Sequence, residues 1–219
     1  MKLHKTPLVS RPVGRAFNSQ MKTYEQLISG ILTQVLDDIE DERVRQGKKR
    51  IVLNSTLPYA KIVEDINKAW EEEFLEGKKK DEGVEILGCD VVALYPSLKL
   101  EFMIREIDRV MVLRIETKEG EEKQKAIALR NITMLLIIFI SEHQFSSTIG
   151  KEGDKTVGRQ VTGISIGSSC SGILANLTLL MGEIDMLERL ETKGVVLSTY
   201  NRYVDDITAI SDVGDKNEE

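Results

Sequence analysis

The chain has 219 residues, 41% of them hydrophobic and 30% charged, which suits one domain or two interleaved lobes around a real core. A net charge of −6 and a pI near 5.2 argue mildly against nucleic-acid binding, although basic residues cluster in "MKLHK…RPVGR", "RVRQGKKR" and "GKKK". The most apolar run, "ITMLLIIFI", is far shorter than the roughly 20 residues a bilayer needs, and the opening residues lack the apolar region of a signal peptide, so neither membrane nor secretion is expected.

Apolar groups at Tyr24, Leu27, Ile28, Ile31, Leu32, Val35, Leu36 and Ile39 recur at helical spacing, which predicts a helix over residues 24–46 ended by Gly47. A second helix is predicted after "NSTLP", with Pro58 near its first turn and Tyr59, Ile62, Val63, Ile66, Trp70 and Phe74 as a core stripe. "EGKKKDEG" reads as an exposed loop before the strand "VEILGCDVVALY". Helices are predicted from Leu98 to Leu113 and from about Lys123 to Phe145. "STIGKEGDKTVGRQVTG" has the glycines and charges of a hairpin or mobile loop, and "SSCSGILANLTLLMGEIDMLERL" reads as a helix. The last elements are two arms of a hairpin, "VVLSTYNRYV" and "ITAIS". This order suits an α+β domain with helices packed on one face of an antiparallel sheet. Cys89 and Cys170 have no metal-ligand spacing and read as reduced packing thiols.

Asp205 and Asp206 stand side by side at the tip of that hairpin. On a plain strand they would point to opposite faces, whereas a turn can bring both carboxylates toward one cation. Taken alone the pair reads better as an acidic surface turn. Asp90, within the apolar strand, supplies a third acid, where an ionised carboxylate is expensive unless a cation compensates it. Neighbouring strands lie about 4.8 Å apart, so the three acids can converge. Such a cluster suits two divalent ions and a polyphosphate, hence in-line phosphoryl or nucleotidyl transfer.

"CDVVALYPSL", "GISIGSSCSGILANL" and "RYVDD" resemble the three palm motifs of reverse transcriptases, in the right order. With "KLHKTPLVSRPVGRAFNS" and "LNSTLP", the chain most resembles the reverse-transcriptase domain of Penelope-like retroelements. The resemblance implies a right-hand polymerase with fingers over residues 1–85 and 114–157 and palm over 86–113 and 158–219, beginning inside the fingers and ending before a thumb or any downstream endonuclease domain. It implies RNA-directed addition of deoxynucleotides to a DNA primer on an RNA template, with two Mg²⁺ or Mn²⁺ ions, in the nucleus.

By the same resemblance Asp90 and Asp205 are the principal metal ligands and Asp206 the second acid of the hairpin. Tyr95 matches the aromatic gate that favours deoxyribose, though a core tyrosine at a strand end would look the same. Arg11 matches the arginine that contacts the triphosphate, with Lys2 and Lys5 adding positive charge. Gly167 matches the glycine beneath the templating pair, beside Ile166 where methionine is usual, and Gln160, Asn176 and Tyr203 occupy supporting positions. Ser169 and Gly172 stand where relatives commonly have proline, which should loosen the helix start, and Pro96-Ser97 replaces a Thr-Asn pair. The alternatives are a catalytically silent nucleic-acid-binding remnant and an RNA-synthesising palm polymerase.

Overall fold

The computed structural model describes residues 21–55, 57–76, 84–142, 145–149, 155–159, 162–165, 167–195 and 197–212. The elements are α1 (Met21–Arg45), α2 (Leu57–Leu75), β1 (Val84–Asp90), α3 (Leu94–Ser97), α4 (Leu100–Glu116), α5 (Gly120–Glu142), β2 (Phe145–Ile149), β3 (Lys155–Arg159), α6 (Ser171–Thr192), β4 (Leu197–Tyr203) and β5 (Asp206–Asp212). The chain packs as two compact units, one of residues 1–35 with 93–178, the other of 36–92 with 179–219.

In the first unit, α4 buries Met103, Ile107, Val110 and Met111, the 3.6-residue stripe that its sequence carries. α5 buries Ala126, Thr133, Ile137 and Ile140, and its Arg130 grips Asp108 of α4 through two bonds of 2.6 and 2.7 Å. By length and composition α5 could cross a membrane, which corrects the expectation drawn from its nine most apolar residues alone; the helix adds a further fourteen. Here it packs by one face, and the Tyr24 ring meets Phe139 edge-on at 6.0 Å. Phe145 leaves the helix and opens a hairpin in which Phe145 pairs with Arg159 and Ile149 with Lys155.

A further correction concerns the segment after Asp90. The strand does not run on to Tyr95: Ala93 takes a left-handed φ of 52°, and Leu94–Ser97 form a separate turn of helix before Leu98 and Lys99 extend. Pro96 suits that turn, since the N–H it lacks belongs to those a first helical turn leaves unused. Gly163, at φ +75°, lies so close beneath this turn that a Cβ there would sit 2.7 Å from the Tyr95 carbonyl oxygen and 2.8 Å from Pro96 Cα. The next residue, Ile164, donates its N–H to that same carbonyl at 2.9 Å. At the start of α6 the Glu25 carboxylate accepts the Ser169 N–H at 3.0 Å, a bond that proline at 169 could not make.

In the second unit three strands form an antiparallel sheet in the order β1-β5-β4. Val84 pairs with Asp212 at one end and Asp90 with Asp206 at the other. Residues 51–53 run along the free edge of β4, where Arg202 N–H reaches Ile51 O at 2.7 Å and Leu53 N–H reaches Arg202 O at 2.9 Å. Glu40 of α1 holds this segment from within: its buried carboxylate accepts the N–H of Ile51 and of Val52 at 3.1 and 2.8 Å. Burial raises its pKa above 4.5, against the opposing pull of those N–H donors and of Arg43.

Not every apolar stripe is covered. None of the α2 side chains described is fully buried, so the core stripe expected there is half-exposed, with Trp70 stacked on Phe74 at 5.5 Å. β1 is an edge strand whose Ile86 and Leu87 are 67% and 59% exposed. Cys89 shares that exposure and is no packing residue, whereas Cys170 is buried.

Substitutions at two positions test these contacts. Glu40→Ala leaves the Ile51 and Val52 donors unpaired and is expected to cost about 2–4 kcal/mol in urea unfolding, while Glu40→Gln, which keeps an acceptor, costs under about 1.5 kcal/mol. Because the folded pKa of Glu40 is raised, its contribution is full below the ordinary 4.5 and is lost as pH rises through the raised value; Glu40→Gln should flatten that part of the stability profile. Gly163→Ala is expected to cost on the order of 3 kcal/mol, combining strain and backbone clash. Gly194→Ala is the control, since Gly194 has the same φ of +75° and nothing within 4 Å of its Cβ position; it should cost only about 1 kcal/mol.

Candidate active site

Asp90 is the last residue of β1 and Asp206 the first of β5, and the antiparallel register sets them opposite each other. Between β4 and β5 the loop is only Val204 and Asp205, and Asp205 is freed from strand alternation because it belongs to neither arm. Val91 N–H donates to Asp205 O at 2.8 Å, which fastens the loop to the end of β1. One carboxylate oxygen from each of Asp90, Asp205 and Asp206 lies within 4.8 Å of the others.

Asp90 and Asp206 are exposed and Asp205 is half-buried. That corrects the expectation that Asp90 is a desolvated acid inside an apolar strand: it stands at the open end of an edge strand. What makes the cluster demanding is proximity, because three like charges this close favour a cation among them. Carboxylate oxygens are the donors that Mg²⁺ and Mn²⁺ prefer, so the residues present fit divalent ions.

The loop is strained in a specific way. Val204, the first of the two loop residues, has φ +58°, a conformation that suits glycine and that a β-branched residue rarely adopts. Behind it, Arg202 is completely buried (0% exposed). Its Nε and Nη2 donate to the two oxygens of Glu183 at 2.6 and 3.0 Å, and Nη1 donates to the Val204 carbonyl at 3.0 Å. Tyr200, two residues earlier on the same face of β4, also donates to Glu183, at 3.1 Å. Burial, then the neighbouring Glu183 charge, raises the Tyr200 phenol well above its ordinary range.

Tyr203 ends β4, paired with Asp206 and 39% exposed. Tyr95, half-buried in α3, Gly167, exposed with φ +106°, and Asn176, half-buried in α6, belong to the first unit. Lys2, Lys5, Arg11, Gln160 and Ile166 lie outside the described residues. Sequence reasoning missed Glu183, Arg202 and Gly163. The signal for the first two was an arginine alternating with Tyr200 on a strand face otherwise fit for burial; for Gly163 it was one glycine among several in a segment read as a loop.

No protein-family model matches the sequence, and no curated protein matches it. Solved structures do share its fold. Apo telomerase of Candida tropicalis, truncated from the C-terminal domain, superposes with a TM-score of 0.60 at 17% identity over 87% of this chain and 34% of that one. Candida albicans telomerase, solved in complex with a TWJ fragment of telomeric RNA, gives 0.58 at 13% identity over 87% of this chain and 30% of that one. A second apo structure from Candida tropicalis gives 0.58 at 15% identity, with 85% and 31% covered. The chain thus spans about a third of the length of these telomerases, and its α+β architecture shares the fold of the matching part of them.

Proposed function

We propose that this chain is the catalytic portion of an RNA-directed DNA polymerase, extending a DNA 3′ end with deoxynucleotides on an RNA template. The observation that carries the reading is the meeting of Asp90, Asp205 and Asp206 at one end of an antiparallel sheet, in a chain with a reverse-transcriptase-type fold. Asp90 and Asp205 would hold two Mg²⁺ or Mn²⁺ ions, with Asp206 supplying further negative charge. Such ions, when bound, lower the pKa of the attacking 3′-hydroxyl and neutralise the leaving pyrophosphate.

The chain's own residues would do the rest. Asp90 and Asp206, both exposed, can be reached by a bulky triphosphate, and the Val91–Asp205 bond keeps the loop from turning its acid away. Gly167, exposed and without a side chain, allows backbone and nucleotide to approach closely. Tyr95 would pack against the sugar and disfavour a 2′-hydroxyl, while Arg11, Lys2 and Lys5 would face the phosphates. A retroelement origin, a Penelope-like relationship and nuclear residence rest on the sequence blocks; the structural likeness is to telomerases and does not single out that lineage.

Primer extension on an RNA template tests the reading. Incorporation should require Mg²⁺ or Mn²⁺, cease with chelator, and fall by at least ~100-fold in Asp205→Asn, a loss of first-rank ligand charge. An unchanged rate in that variant would exclude metal-assisted transfer at this cluster. Tyr95→Ala should gain ribonucleotide use at little cost to deoxynucleotide incorporation; if discrimination is unaltered, the gate lies elsewhere.

A further inference from the structure

We infer that Arg202, held by Glu183, is a positioning residue that sets the conformation of the acidic loop through the Val204 carbonyl. Three features of the second unit converge on this. The guanidinium is fully buried, so its charge must be matched locally, and Glu183 matches it through two parallel bonds of 2.6 and 3.0 Å. That pairing engages Nε and Nη2, and Nη1 donates to the Val204 oxygen at 3.0 Å. Val204 is the residue whose backbone most needs holding, because a β-branched side chain at φ +58° is unfavourable and the chain would otherwise relax toward negative φ.

Relaxation there would rotate the peptide joining Val204 to Asp205. The Asp205 carbonyl would then leave the Val91 N–H, and the Asp205 carboxylate would leave the other two acids. These three bonds go to Glu183 and to the Val204 carbonyl, and together they fix the peptide on which Asp205 hangs. Arg202 is anchored in turn by its own backbone, bonded on both sides to Ile51 and Leu53, so the clamp cannot slide along β4. Lysine at 202 would keep the charge but lose the fork that serves Glu183 and Val204 together. Glycine at 204 would adopt the same backbone without needing to be held.

Those two substitutions define the test, which deepens the proposed function but has a readout independent of it. Hydrogen exchange is measured at the Val91 amide, the reporter of loop closure, and at the Ala209 amide in the same sheet as reference. Arg202→Lys should accelerate Val91 exchange by at least ~10-fold relative to Ala209, and adding Val204→Gly should return it to within about threefold of wild type. Should Arg202→Lys fail to fold, Glu183→Gln, which keeps the shape of the pair, carries the same expectation. Acceleration no greater at Val91 than at Ala209 would make the ion pair merely a support for the sheet, and failure of Val204→Gly to restore protection would remove the carbonyl as the route; either overturns the inference. Mn²⁺ affinity, read by electron paramagnetic resonance on the same proteins, should weaken by about 10-fold and recover in parallel. A wild-type protein that binds no Mn²⁺ would refute the proposed function while leaving the exchange result to stand.

Discussion

A guanidinium with no access to water is tolerable only when its charge and its donors are met by the protein, and the pairing of Arg202 with Glu183 is the constraint on which the second unit depends. Removing two ions from water costs several kcal/mol each, so the pair is poor evidence of net stability. Its value is geometric. Glu183 lies on α6, Arg202 on β4, and the third donor reaches the loop, so one planar group fixes helix, strand and turn together. Tyr200 reinforces the arrangement from the same strand face, and the Ile51–Leu53 segment closes the strand edge behind it. Glu40 plays a parallel part from α1, its buried carboxyl group accepting from two backbone donors of that segment.

Backbone strain is distributed in a telling way. Among the described residues, Ala93 and Val204 are the two non-glycines with positive φ. One stands three residues after Asp90 and the other immediately before Asp205. Left-handed backbone at alanine and valine persists only where surrounding bonds over-determine it, and strain of that kind concentrates at sites that must hold a shape against their own preference. At Val204 the surrounding bond is identified; at Ala93 the turn it opens is closed by the Ser97 N–H on the Ala93 carbonyl at 3.0 Å.

Periodicity made the helices legible in the sequence. Ile28, Leu32, Val35, Leu36 and Ile39 are buried on α1 as their spacing requires, and α4 and α5 form with shifted ends. The convergence of three acids was legible too, because a two-strand register and a two-residue loop leave few alternatives. Interactions whose partners lie far apart in the chain could not be read. Nothing local says that Glu183 belongs to Arg202, or Glu40 to the N–H groups of Ile51 and Val52, since in sequence each is one more acid on an amphipathic helix. The break after Asp90 was missed because "VVALY" has strand composition; a left-handed alanine and a proline-bearing turn override it. Gly163 was hidden for the opposite reason, since glycine in a loop usually signals freedom, and here it signals contact.

The exposure of Asp90 changes the physical reason for the cluster more than it changes its membership. A carboxylate buried in an apolar strand would call for a cation to offset desolvation, and would also be closed to any substrate that a polymerase handles. At the open end of an edge strand that desolvation cost vanishes, and mutual repulsion of three carboxylates within 4.8 Å takes its place as what would favour a cation in the proposed reading. Repulsion among exposed acids is weaker and more easily screened than a buried charge, yet the loop must still be held against it by the protein itself. Side chains free to swing apart would lower their energy simply by separating. The bond from Val91 to the Asp205 carbonyl, the cross-strand pairing of Asp90 with Asp206 and the buried guanidinium behind Val204 each oppose that separation, which leaves the three acids assembled at a place open to solvent.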